Sequence, residues 1–92
     1  MLKQVRELEP TLRQRGFDRL YLFGSVDRGE ANPNDVDLLF EADPENDPGL
    51  FGIWKTEDEL AEQLGRPVEL VDRTLLHRRI RARVEAEMIE VY

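Results

Sequence analysis

The chain has 92 residues, a formal net charge of −7 and no cysteine. This length supports one domain, spanning 1–92, with a single modest core, and it excludes the separate palm, fingers and substrate-binding domains of a processive polymerase. Disulfides and thiolate chemistry are excluded, and the acidic balance argues against a long nucleic acid as partner, since phosphate backbones are gripped by excess Lys and Arg. With no signal peptide and no apolar run approaching 18 residues, a cytoplasmic protein away from the membrane is expected.

Leu2, Val5, Leu8 and Leu12 fall at helical spacing, and Pro10 either kinks that helix or starts a second short one. Gly16 follows as a C-cap. The run Leu20-Tyr21-Leu22-Phe23 ends at Gly24 and predicts a buried strand at about 19–24. A second strand is expected at 35–42, with Val36, Leu38 and Phe40 on its core face and Asp35 and Asp37 on the other. Residues 43–49, rich in proline and acid, form the clearest loop.

Leu50, Phe51, Trp54, Leu60, Ala61 and Leu64 are spaced for an amphipathic helix that stops at Gly65. That spacing favours the core for Phe51 and Trp54 over stacking on a purine. Thr56 and Glu59 have capping-box spacing, but the apolar pattern begins earlier, so the helix is not expected to start there. A third strand is expected at 67–72. Leu76, Ile80, Val84 and Met88 then define one face of a last helix running to Val91-Tyr92. His77, the one histidine, has no second nitrogen or sulfur ligand nearby in sequence and reads as an exposed structural residue. Arg78, Arg79, Arg81 and Arg83 read as a solvated helix face.

The chemistry concentrates in residues 24–37. On a strand, positions i and i+2 point the same way, roughly 6.5–7 Å apart. Asp35 and Asp37 so placed can share metal ions, and magnesium is usually held by one or two carboxylates together with substrate phosphates. Gly24-Ser25, a small turn exposing its backbone, offers N–H groups and a hydroxyl to those phosphates. Arg28 lies in the loop beside them, placed either to pair bidentately with phosphate or to brace the loop.

Residues 20–41 resemble the GS…DxD signature of the DNA polymerase beta-like nucleotidyltransferase superfamily. More narrowly, the chain is similar nearly end to end to the minimal nucleotidyltransferases (MNT). The resemblance lies in Leu-Phe-Gly-Ser with Arg28-Gly29, Asp35-Val36-Asp37-Leu38-Leu39, Leu64-Gly65-Arg66-Pro67-Val68-Glu69-Leu70-Val71 and the last helix. It implies an α/β (α+β) nucleotidyltransferase fold, a small mixed sheet flanked by helices. It also implies that Gly24 and Ser25 contact the nucleotide phosphates and that Asp35 and Asp37 bind Mg²⁺. A third carboxylate on the next strand, here Glu69 where the family more often has aspartate, completes the site. Nine residues, 26–34, separate the Gly-Ser pair from Asp35, one fewer than is usual in the family.

MNT proteins often serve as antitoxins to HEPN-domain toxins. The resemblance therefore implies transfer of AMP from ATP to a tyrosine hydroxyl of such a toxin, with homo-oligomers and hetero-oligomers both open. Two other readings stay open at this point. One is a degenerate antitoxin that neutralises its partner by binding alone, and the other an enzyme acting on a small molecule, as aminoglycoside nucleotidyltransferases do.

Overall fold

A computed structural model describes residues 2–23 and 35–92. Pro10 starts a second helix rather than kinking one: α1 spans Leu2–Glu7 and α2 spans Glu9–Gln14, with the proline in its first turn where no N–H is needed. The chain leaves α2 through Gly16 at φ +99°. A Cβ there would stand 1.9 Å from the Asn46 carbonyl oxygen, so the position needs glycine for room as well as for conformation. Gly16 accepts from the Asp43 N–H at 2.9 Å, and the Asn46 amide donates to the Gln14 carbonyl at 2.9 Å, which ties the start of the chain to the 43–48 loop.

Four strands form one mixed sheet: β1 (Phe17–Phe23), β2 (Val36–Ala42), β3 (Val68–Asp72) and β4 (Ile89–Glu90), in the order β3-β2-β1-β4. β1 pairs antiparallel with β2 and with β4, whereas β2 and β3 are parallel. A parallel pair needs a long crossover, and α3 (Gly49–Leu64) supplies it. Gly65 ends α3 at φ +68°, as the sequence predicts. The edge strand β3 is partly covered by this helix, because the Glu57 carboxylate accepts from the Leu70 N–H at 2.7 Å.

The last helix departs from expectation. A 3-10 turn (Arg73–Leu75) precedes α4 (Arg78–Glu87), which stops before Val91-Tyr92. The chain then extends, pairs as β4 and inserts Val91 and Tyr92 into the core. The Tyr92 hydroxyl donates to the Phe17 carbonyl at 2.8 Å, a buried bond across 75 positions of sequence. His77 is exposed and caps α4, its Nδ1 accepting from the Arg79 N–H. Apolar periodicity alone cannot distinguish a helix tail from a short edge strand over four residues.

Helices cover both faces of the sheet. One core joins Val5, Leu12, Phe17, Leu20, Val36, Leu38, Phe40, Leu60 and Leu70 under α1–α3. Tyr21, Phe23, Leu39 and Val84 form a second core under α4. Expectation holds for Leu60 and Leu64 of α3 but fails for Leu50, Phe51 and Trp54, which are exposed; Ile53 and Thr56 complete the core face. Thr56 and Glu59, which resemble a capping box, instead both take hydrogen bonds from the Arg15 guanidinium, fastening α3 to the end of α2. No helix of the described residues is long and apolar enough to cross a membrane.

Two stability predictions arise from this packing. Gly16→Ala must strain the backbone and move Asn46, so it should cost more than about 1 kcal/mol in urea denaturation, beyond the usual cost of a surface change. Both tyrosines, the full complement of the chain, have raised pKa values: Tyr21 through burial and its bond to Glu41, Tyr92 through burial. A raised folded pKa gives stability that is complete below the unfolded value of 10.0 and is lost as pH rises through the folded one. An ultraviolet titration should therefore show the phenols ionising above their ordinary value, with stability falling as pH rises through their folded pKa values.

Candidate active site

The parallel register fixes the central geometry. Asp37 on β2 and Glu69 on β3 are Cα partners, so both carboxylates leave the same face of adjacent strands. Neighbouring strands are about 4.8 Å apart, which brings these side chains within reach of one ion. Phe23, the residue before Gly24, is the partner of Asp37 on the opposite strand. Asp35 stands just ahead of β2 and is exposed, on the i, i+2 side shared with Asp37.

Burial separates the two strand carboxylates. Asp37 is only 7% exposed, whereas Glu69 is open to solvent. The sequence expectation puts Asp37 on the face away from the core; the structure adds that this face carries a core of its own, with Leu39 packed among Tyr21, Phe23 and Val84. Among the described residues, no hydrogen bond or ion pair is made to the Asp37 carboxylate, and no basic group lies within salt-bridge range of Glu69. A buried anion beside a second carboxylate is costly unless a cation compensates it.

Two hard oxygen donors of this kind fit a small divalent cation, the number by which Mg²⁺ is usually held when phosphates and water fill its remaining positions. Among the described residues no three Asp, Glu, His or Cys side chains converge closely enough to form a metal cluster by themselves. The register thus brings together a pair, Asp37 with Glu69, and leaves Asp35 at its margin. Gly24, Ser25 and Arg28 lie outside the described residues.

The far end of the same sheet face carries a polar network that sequence reasoning misses. The Tyr21 hydroxyl donates to Glu41 at 2.7 Å, and Arg73 reaches the Tyr21 oxygen and Glu41, each at 3.3 Å, and Glu85 at 3.4 Å. Glu41, Arg73, Thr74, Arg81 and Glu85 line a cleft of about 480 Å³. Its carboxylates are already paired with Arg73, so the network joins α4 to β1 and β2 and serves structure, not metal binding. A sequence signal exists only in hindsight: Glu41 is an acid at the end of an apolar strand, and Arg73 follows directly after another strand.

Comparison with known proteins agrees with this fold. The nucleotidyltransferase domain family matches residues 3–91. A protein of Methanocaldococcus jannaschii that carries the provisional name protein adenylyltransferase is 29% identical over 87 residues, covering 94% of this chain and 91% of that protein. The solved structure of a provisionally identified minimal nucleotidyltransferase superposes with a TM-score of 0.70 at 30% identity, covering 96% of this chain and 90% of the other. A chain in the complex of a tri-AMPylated HEPN toxin with its MNT antitoxin, from Shewanella oneidensis, superposes with a TM-score of 0.68 at 22% identity, covering 100% of this chain and 72% of that one. The shared fold and the match over nearly the whole length lead to one assignment: the chain belongs to the nucleotidyltransferase domain family, as a minimal nucleotidyltransferase.

Proposed function

We propose that this enzyme transfers AMP from Mg-ATP to a tyrosine hydroxyl of a HEPN-domain partner, and so acts as the antitoxin of a two-protein module. The observation that carries the reading is the in-register pair of Asp37 and Glu69, one buried and one open. Asp35 and Asp37 are the metal holders nearest the nucleotide; Glu69, exposed on the adjoining strand, faces the incoming acceptor. Gly24, Ser25 and Arg28 are assigned to the triphosphate. The acceptor and the antitoxin role are supported by the names of the relatives: a protein adenylyltransferase and an antitoxin bound to an AMP-bearing toxin. One superposing toxin-antitoxin structure holds the ATP analogue AMP-PNP.

In the transfer itself, the acceptor oxygen attacks the α-phosphorus in line, a new P–O bond forms, and the bond to the β-phosphate oxygen breaks. AMP stays on the acceptor and pyrophosphate leaves. The phenol proton passes to the Glu69 carboxylate, the one open to solvent and able to release it. Bound divalent ions stabilise charge on the attacking and leaving oxygens, which is most of what phosphoryl transfer requires. The protein's share is placement. Asp37 is held by strand pairing on both sides, with Phe23 on one and Glu69 on the other, so its carboxylate does not need a flexible loop to position it.

Two measurements test the reading. In EDTA, Asp37→Asn should leave the protein folded and as stable as wild type or up to about 1 kcal/mol more so, because it relieves a like-charge pair. Mg-ATP should stabilise the wild type by about 2.7 kcal/mol at a hundred times its Kd, and Asp37→Asn should lose that gain. If Asp37→Asn gained as much from Mg-ATP as wild type, the metal assignment would be wrong. Mixed with a HEPN-domain partner, Mg²⁺ and ATP, the wild type should add about 329 Da per group to a partner tyrosine. Intact mass spectrometry reads this directly, and Glu69→Gln should slow it. A tight complex that silences the partner with no added mass would establish the binding-only antitoxin instead.

A further inference from the structure

The surface of α3 holds an apolar stripe that the proposed chemistry does not use. Phe51 is 85% exposed, Leu50 60% and Trp54 52%. The rings of Phe51 and Trp54 meet edge to face with centroids 6.3 Å apart, so they form one raised patch. They lie around the helix from Ile53, Leu60 and Leu64, which are the residues that hold α3 to the sheet. Large aromatics left in water at adjoining positions of a helix mark interaction surfaces more often than chance exposure.

Its place and its charge restrict what can cover it. β2 runs from the catalytic end towards the 43–48 loop, and Ala42 lies five positions on from Asp37, roughly 17 Å at the rise of a strand. The patch begins beyond that loop, so an occupant seated there leaves the carboxylate pair open. Exposed acids surround the stripe: Glu45 and Asp47 before the helix, and Asp58 and Glu62 one and two turns beyond Trp54. Lys55 is the one cation on the described helix. A second copy of this chain, itself at −7, would bring the same acids against these and be repelled. A basic surface would be attracted, and an apolar ridge on a helix is matched by another helix laid along it.

We propose that Leu50, Phe51 and Trp54 form the docking surface for a basic amphipathic helix of the protein partner, separate from the catalytic end. This deepens the antitoxin reading and rests on it for the partner's being a protein. Docking and transfer then depend on different residues: the stripe holds the partner, while Asp37 and Glu69 act on the nucleotide.

Trp54 is the one tryptophan of the chain, so its fluorescence reports directly on this surface. The probe is a synthetic amphipathic helical peptide of leucine and lysine, with a glutamate-for-lysine version of the same length as control. The basic peptide should shift Trp54 emission to the blue at micromolar concentration, and the effect should weaken as salt rises. Phe51→Ser, at a site too exposed to affect folding, should weaken binding about tenfold or more while Mg-ATP binding stays at the wild-type level. Equal binding of the acidic peptide, no shift with the basic one, or no effect of Phe51→Ser would overturn the proposal. A blue shift on concentrating the protein alone would assign the surface to a second copy and overturn it equally. If the peptide result holds while Mg-ATP binding is absent from the wild type, the docking surface stands and the nucleotidyltransfer reading falls.

Discussion

Parallel pairing of β2 with β3 is the contact on which both fold and chemistry depend. It demands a crossover, which is why α3 exists; it places α3 against one face; and it sets Asp37 beside Glu69. A slip of one residue in this register would turn Asp37 and Glu69 apart and would drive Leu38 out of the core that holds it. The apolar side chains therefore enforce the spacing of the carboxylates. Val36, Leu38 and Phe40 lock β2 from one side and Leu39 from the other, and the placement of Asp37 beside Glu69 follows from hydrophobic packing.

The same strand shows what the sequence makes legible. Alternation in Val36-Asp37-Leu38-Leu39-Phe40 assigns faces correctly, and Gly65, Pro10 and Gly16 mark the ends of helices for reasons local to the backbone. Glu69 falls on β3 within a residue of its expected strand bounds. These features depend on neighbours in sequence. The second core does not: Leu39 is enclosed by Val84, which arrives with α4 from more than forty positions away. β4 is hidden for the same reason, since two residues become a strand only because β1 offers them a free edge.

The exposed aromatics of α3 are the clearest case of a sequence rule giving the wrong face. Leu50, Phe51 and Trp54 are large apolar residues of its first two turns, and all three are exposed. Ile53, Thr56, Leu60 and Leu64 win because Thr56 hides its hydroxyl by accepting from Arg15, which lets a polar residue sit in the core. A buried threonine costs little once it has a partner, and its presence frees the larger side chains for another use. The misreading therefore identifies a surface, in the way that failures of local rules often coincide with function.

A minimal enzyme must obtain stability and reactivity from one small core, and the distribution of charge shows how this chain divides the work. At the far end of the second face, Glu41 and Glu85 are held by Arg73, and the Tyr21 phenol fills the gap between strand and helix. At the catalytic end Asp37 and Glu69 have no such basic neighbour among the described residues. Both ends use carboxylates from the same face, β2 contributing to each. What distinguishes them among the described residues is the arginine: Arg73 pairs with Glu41 and Glu85, whereas no described basic group pairs with Asp37 or Glu69, which on the proposed function leaves that pair for a cation. On the proposed function, a bound cation takes at this pair the place that Arg73 fills at the far end, and an arginine introduced near Glu69 would compete with it.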